Sequence, residues 1–292
     1  MPTTLVKLLF LSQSSCTKYI MKHLLLILLL VLGMISTVDA KPRKKYHKPH
    51  HKIKQIKRHA APISGSYVMF DYTNDDFDSE FNRHQVSSIA SITKMFTAIT
   101  IINSTANLYE KLYVTGHNGG KIPKGSWVSR MDLLKAMVMN SDNLAAEVLA
   151  NNHPGGFQQF ITDVNTYNKN IGLRNTEIVD SSGLLPGNVS TASELVLFLN
   201  SIKDNAVIQD IGALRQYEMS VPKGKRTYHV KFRNTNPELY KYDNILISKT
   251  GFTNSAGRCV MMLIEKHHKM YAIIVLGQPN IQRRSQLVSS LM

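Results

Sequence analysis

An α+β fold, with an antiparallel sheet flanked by helices and a mostly helical subdomain, follows from three observations. Strand-like stretches stand at the two ends of the folded part, near Tyr67–Phe70 and again after Asp243. Between them, apolar residues recur at helical spacing in a series of separate stretches. After the last strand-like run one more helical pattern, residues 281–291, closes the chain. The sheet is therefore expected to be assembled from both ends of the sequence.

The 292 residues allow one large domain or two small ones. The hydrophobic share of 43%, with 16 Gly and 10 Pro, is that of a globular protein with a sizeable core. At the amino end, Met21 is followed by Lys22-His23, the apolar run 24–35 and Ser36-Thr37-Val38-Asp39-Ala40. A basic start, an apolar stretch and a small residue at the end predict a secretory signal peptide, with cleavage after Ala40 and residues 1–20 as an upstream extension. The apolar run falls short of the about 20 residues that a membrane span needs.

The formal charge of +15 invites a nucleic-acid reading, but its distribution argues against one. Residues 41–59 carry seven Lys and two Arg with no acid, and residues 60–292 hold only +4. The segment 41–60 is expected to be a linker, because it has too little apolar surface to offset the entropy of ordering. A solvated spacer, contact with an anionic surface, and metal binding through His47, His50, His51 and His59 all fit its composition.

Residues 61–292 read as the folded domain. Tyr67–Phe70 is the first strand and Ser79–Arg83 the second, with the turn-rich 71–76 between them. A helix is expected from Ser91, although the β-branched run Ile99–Ile102 also suits a strand. Ser129–Asp132 resembles a helix start, with a stop at Asn140 and another helix over 143–151. His153-Pro154-Gly155-Gly156 breaks the pattern before an amphipathic helix over 157–170. One further helix spans 191–201, with Ser190 or Thr191 as its cap. Residues 245–249, 257–264 and 270–276 are sheet-like, with 265–269 as the turn between the last two. Cys259 lies in an apolar run and reads as a small core residue.

Three short motifs carry the chemistry. In Ser91-Ile92-Thr93-Lys94, a helical turn sets an amine beside a hydroxyl, and a serine needs such a base to act as a nucleophile. The helix start also gathers unpaired N–H groups suited to an oxyanion. Alone this motif means little, since roughly one S-x-x-K arises by chance in a chain this long. Ser141-Asp142-Asn143 falls between two helices, and Lys249-Thr250-Gly251 ends a strand. Each of these arises by chance in only about a few per cent of such chains. Together they supply a nucleophile and its base, a second hydroxyl to pass a proton to a leaving amine, and a fixed cation for a carboxylate.

Motifs of this kind, in this order, belong to penicillin-binding proteins and class A β-lactamases. From about Ala61 onward the sequence resembles the serine D-Ala-D-Ala peptidases of the low-molecular-mass penicillin-binding proteins, within them the penicillin-binding protein 7 type of endopeptidase. The stretches SIASITKMFTA, NHPGGFQQFI, SSGLLPGNVSTASEL, KFRNTN and SKTGFTNSAGRC carry the likeness. The resemblance implies a β-lactamase/transpeptidase-like fold. It makes Ser91 the acylated nucleophile, Lys94 its base and Ser141 the proton shuttle. Asn143 would hold Lys94 and the substrate, and Lys249, Thr250 and Gly251 would form the carboxylate-binding strand. The oxyanion would lie between the backbone N–H groups of Ser91 and Phe252, with Arg283 or Arg284 as a further carboxylate contact. Lys94 would need a pKa well below its ordinary value, through burial and the Lys249 charge.

The same resemblance implies a periplasmic enzyme that cuts D-Ala–diaminopimelate cross-links of peptidoglycan, is trapped by β-lactams, and uses no metal or organic cofactor. DD-carboxypeptidase is the alternative, ahead of β-lactamase or a non-catalytic wall-binding protein. Two departures narrow the choice. No Glu-x-x-Leu-Asn stretch follows Ser141-Asp142-Asn143, so the deacylating glutamate of class A β-lactamases has no counterpart. Only 41 residues follow Gly251, which leaves no expected room for a further β-domain and anchor.

Overall fold

The computed structural model describes residues 65–292. The expected signal peptide and Lys/His-rich segment lie outside these residues. Strands β1 (Ser66–Asp71) and β2 (Asp76–Phe81) open the domain, and the short β3 (Ser87–Ser88) leads into a 3-10 turn over Ala90–Ile92 and helix α1 (Thr93–Asn103). Then come β4 (Lys111–Tyr113), β5 (Trp127–Ser129), α2 (Arg130–Asn140), α3 (Asn143–Asn151) and α4 (Gly156–Asn170). The short β6 (Val189–Ser190) precedes α5 (Ala192–Ile202), α6 (Ala206–Gly212) and the hairpin of β7 (Gln216–Lys223) and β8 (Arg226–Arg233). Strands β9 (Ile245–Thr253), β10 (Gly257–Lys266) and β11 (Lys269–Gln278) and helix α7 (Ile281–Leu291) complete it.

The main sheet has the order β2-β1-β11-β10-β9 and is antiparallel throughout. Its two inner neighbours, β1 and β11, come from opposite ends of the domain, as the sequence predicts. Strand period explains how it is covered. Met261 and Leu263 on β10, with Ala272 and Ile274 on β11, face the larger core beneath α1, α2 and α5. Val260, Met262, Ile273 and Val275 face the other side, where Val288 and Leu291 of α7 pack on them. Both faces are dry, so these strands read as unbroken apolar runs. Cys259 belongs to the larger core, and burial pushes its thiol up to about 11.

Several local expectations shift. The second strand runs over Asp76–Phe81 instead of Ser79–Arg83. Ile99–Ile102 is helical: Ile99 and Ile101 are buried in the helical layer, and that packing outweighs the strand preference of β-branched residues. The 265–269 turn tightens to His267 and His268, both at positive φ, as a two-residue hairpin requires. Helix α6, capped by Asn205, and the β7–β8 hairpin carry too little apolar periodicity to be read from sequence. Among the described residues no helix is long and apolar enough to cross a membrane.

Phe96 of α1 and Phe198 of α5 are fully buried and stack with ring centroids 3.7 Å apart, which ties the helix carrying Lys94 to the layer over the sheet. Phe198→Ala is expected to cost about 3–5 kcal/mol through lost burial and a residual cavity, measured by denaturant unfolding.

Candidate active site

The first motif is built on a turn tighter than an α-helix. Ala90–Ile92 forms the 3-10 turn and α1 begins at Thr93, so the expected helix start at Ser91 moves two residues on. In such a turn side chains three apart nearly eclipse, and Lys94 Nζ lies 2.9 Å from Ser91 Oγ. Ala90 takes a positive φ of 45° to start the turn, and Thr93 Oγ1 donates to Ala90 O at 2.7 Å.

Ser141-Asp142-Asn143 divides its work by position. Ser141 ends α2 in the left-handed conformation, φ 60°, and turns its hydroxyl toward the cleft. Asp142 caps α3 by accepting from Ala145 N at 2.9 Å, and accepts from Lys121 N at 2.6 Å. Asn143 opens α3, where its Oδ1 accepts from Lys94 Nζ at 2.7 Å. The third motif comes from the edge strand β9. Lys249 stands opposite Met261 in the ladder and so shares its face, and Lys249 Nζ donates to Ser141 Oγ at 3.0 Å and to Thr250 O at 2.9 Å. Gly251 passes close to the 3-10 turn. A Cβ there would come 2.8 Å from Ile89 O and 3.0 Å from Ser91 N, so only glycine lets β9 approach the Ser91 amide this closely.

A loop that motif spacing does not single out completes the pocket. Ser182 O accepts from Lys94 Nζ, and Ser181 O accepts from Thr97 Oγ1 at 2.8 Å. Asp180 shapes this loop, accepting from Ser182 N at 2.7 Å, from Gly183 N and from Leu185 N at 2.7 Å. Gly183 has φ +78°, and a Cβ on it would sit 1.9 Å from Ala90 O. The stretch SSGLLPGNV is legible as a resemblance, but a backbone carbonyl as a ligand for the lysine leaves no mark in residue type.

Lys94 is fully buried, and that burial pushes its pKa down to about 7, with Asp180 and Asp142 opposing a further fall. Lys249 is 1% exposed and is held well below the usual lysine range by burial, then by the charges of Lys94 and Arg284. Burial is the first cause at both lysines, and repulsion between the two ammonium groups adds to it.

Ser91, Ser141, Asn143, Thr250, Gly251 and Phe252 line one open cleft of about 620 Å³. Arg284 lines it too and is 3% exposed, whereas Arg283 is partly exposed and outside the lining. Of the two candidate arginines, the structure brings only Arg284 to the site. Thr235, whose hydroxyl is 2.6 Å from that of Thr250, and Arg258 and Arg233 are lining residues that motif reading missed. Their signal lay in the matched stretches KFRNTN and SAGRC. Among the described residues no group of three His, Cys, Asp or Glu side chains is placed to hold a metal ion.

A serine hydroxyl bonded to a dry lysine at the mouth of a cleft, on an α+β fold, is the arrangement of an active-serine peptidase. Comparison with known proteins makes this specific. The D-alanyl-D-alanine carboxypeptidase family matches residues 53–280, and the chain belongs to that family. The D-alanyl-D-alanine endopeptidase of Escherichia coli is 35% identical over 221 residues, 73% of this chain and 71% of that protein. The Pseudomonas aeruginosa endopeptidase is 33% identical over 260 residues, covering 86% and 81%. Penicillin-binding protein D2 of Listeria monocytogenes, solved with cefotaxime bound, superimposes with a TM-score of 0.67 at 25% identity, over 80% of this chain and 98% of that one. The Streptomyces K15 DD-transpeptidase shares the fold, with a TM-score of 0.73 at 21% identity, covering 80% and 97%.

An NMR titration of the lysine side chains tests the electrostatics. Two lysines should titrate below the usual range, one near pH 7, and that signal should vanish in Lys94→Met. The sign follows from burial: the charged form is disfavoured, so the proton leaves early as pH rises.

Proposed function

We propose that the protein is a periplasmic serine DD-endopeptidase that hydrolyses D-Ala–diaminopimelate cross-links in peptidoglycan through a Ser91 acyl-enzyme. The observation that carries this reading is the 2.9 Å contact of Ser91 Oγ with a buried lysine whose pKa is about 7. Neutral Lys94 takes the proton from Ser91 Oγ as that oxygen attacks the D-Ala carbonyl carbon. The oxyanion develops against the N–H groups of Ser91 and Phe252. Asn143 and the Ser182 carbonyl hold the lysine through the transfer. Ser141, bonded to Lys249, passes its hydroxyl proton to the departing amine as the C–N bond breaks and is reprotonated in turn. The proton that Lys94 took from Ser91 makes up the balance, leaving Lys94 neutral for the attack of water. The leaving residue carries a carboxylate next to that amine, and Lys249, Thr250 and Arg284 are disposed to receive it. Water then cleaves the Ser91 ester.

Cross-link cleavage is favoured over removal of a terminal D-Ala by the likeness to endopeptidases at 33–35% identity, against 26% for the carboxypeptidase DacD of Escherichia coli. The open cleft also suits a bulky leaving group. A β-lactam would acylate Ser91 and leave slowly, since no glutamate stands where class A β-lactamases place one to activate water. Export by the signal peptide and attraction of residues 41–59 to an anionic surface are parts of the same reading.

Fluorescent penicillin should label the wild type, while Ser91→Ala takes up no label and loses about 10³-fold or more of the peptidase activity. Muropeptide digestion decides the bond. Dimers falling to monomers fits the endopeptidase. Loss of only terminal D-Ala would make it a carboxypeptidase, and rapid penicillin turnover would contradict the absence of a deacylating base.

A further inference from the structure

The cleft holds more positive charge than one carboxylate needs. Buried Arg284 lines it, buried Lys249 bonds to its lining residue Ser141, and Arg258 and Arg233 line it as well, yet no aspartate or glutamate does. Elsewhere in the domain Arg83, Arg130 and Arg215 each meet a carboxylate. Among the described residues Arg258 and Arg233 have none within 4.0 Å. Both are instead laid over rings. The Arg258 guanidinium is 3.6 Å from the centroid of Phe252, its partner in the β9–β10 ladder, and that of Arg233 is 5.4 Å from Tyr240.

This arrangement is built for an incoming anion. Stacking fixes the plane of a guanidinium and leaves its N–H edge free for a carboxylate, so less freedom is lost on binding. The cations also bear on one another. Burial is the main cause that lowers Arg284 and Lys249; beyond it Arg258 lowers Arg284 against the opposing charge of Glu238, while Lys94 and Arg284 lower Lys249. Buried Glu238 offsets part of this at Arg284, but Arg258 and Arg233 have no carboxylate of their own among the described residues, and a second negative group in the cleft would supply one.

We propose that Arg258, assisted by Arg233, is a specificity subsite that binds a second carboxylate on the leaving strand of a cross-linked substrate. The proposal rests on the endopeptidase reading and extends it. When the leaving group is a terminal D-Ala, it carries one carboxylate and a methyl group. When it is a diaminopimelate residue, its side chain continues into a stem peptide with further carboxylates, the glutamyl one and the terminal one. Lys249, Thr250 and Arg284 serve the carboxylate common to both. The Arg258 subsite is engaged only by the cross-linked substrate and so favours cross-link cleavage over trimming.

The test compares full-length wild type, Arg258→Gln and Arg233→Gln on a cross-linked muropeptide dimer, a short peptide ending in D-Ala-D-Ala, and penicillin. Arg258→Gln is expected to lose about 10-fold or more in kcat/KM on the dimer, mainly through KM, as befits a lost charged hydrogen bond. Arg233→Gln should lose less. Penicillin acylation and the short peptide should change by less than about twofold, a gap that a merely damaged cleft would not produce. Amidating the acceptor carboxylates should weaken wild-type cleavage by the same factor and add nothing in Arg258→Gln. An unchanged dimer rate, or equal losses on all three substrates, would overturn the subsite. Should the wild type fail to cut dimers, the endopeptidase reading falls by itself. The subsite is then judged by calorimetry of the free tetrapeptide stem with Ser91→Ala. It stands if adding Arg258→Gln weakens binding about 10-fold and falls if binding is unchanged.

Discussion

Lys94 is a cation taken out of water and given three oxygens but no carboxylate in contact: Ser91 Oγ, Asn143 Oδ1 and Ser182 O. A lysine so placed sheds its proton near neutrality, because hydrogen-bond acceptors repay only part of the lost hydration. Each of the three oxygens comes from a different part of the chain. Ser91 stands on the 3-10 turn, Asn143 at the start of α3 and Ser182 on the loop before β6. Assembling the base therefore requires the helical layer, the motif between α2 and α3, and the Asp180 loop to be folded at once.

The two-faced sheet supplies the second half of the constraint. Strand β9 is an edge strand, and its Lys249 shares a face with the core residue Met261 opposite it. Gly251 then lets the strand end press against the turn that carries Ser91. A register shift of one residue would turn Lys249 to the opposite face and leave Ser141 without its partner. Packing, ladder register and catalysis are in this sense one arrangement. The dry core on both sides of β10 and β11 holds the edge strand where the chemistry needs it.

Much of this was legible in the sequence because it is local. Helix α3 at Asn143–Asn151, the Thr191 cap of α5, the closing helix and the apolar strands all follow from period and capping residues. The three motifs were legible because it is their side chains that meet in the site. What escaped depends on backbone or on distance. Ser182 contributes a carbonyl, which any residue has, and Gly183 matters because Ala90 O lies against it. The β7–β8 hairpin alternates weakly, since most of its side chains are exposed. Arg258 looked like a strand residue, and its position beside Phe252 emerges only when β9 and β10 pair. Between Arg283 and Arg284, the face of the closing helix that meets the sheet made the choice.

Activation of Ser91 by a neutral Lys94 is tested most directly by the pH dependence of acylation by penicillin. The second-order rate constant reports ionisations of the free enzyme. The rate should climb as pH rises through about 7, where Lys94 loses its proton, and then level off. A rate flat across that range, or one still climbing toward the ordinary lysine pKa near 10.4, would contradict that activation.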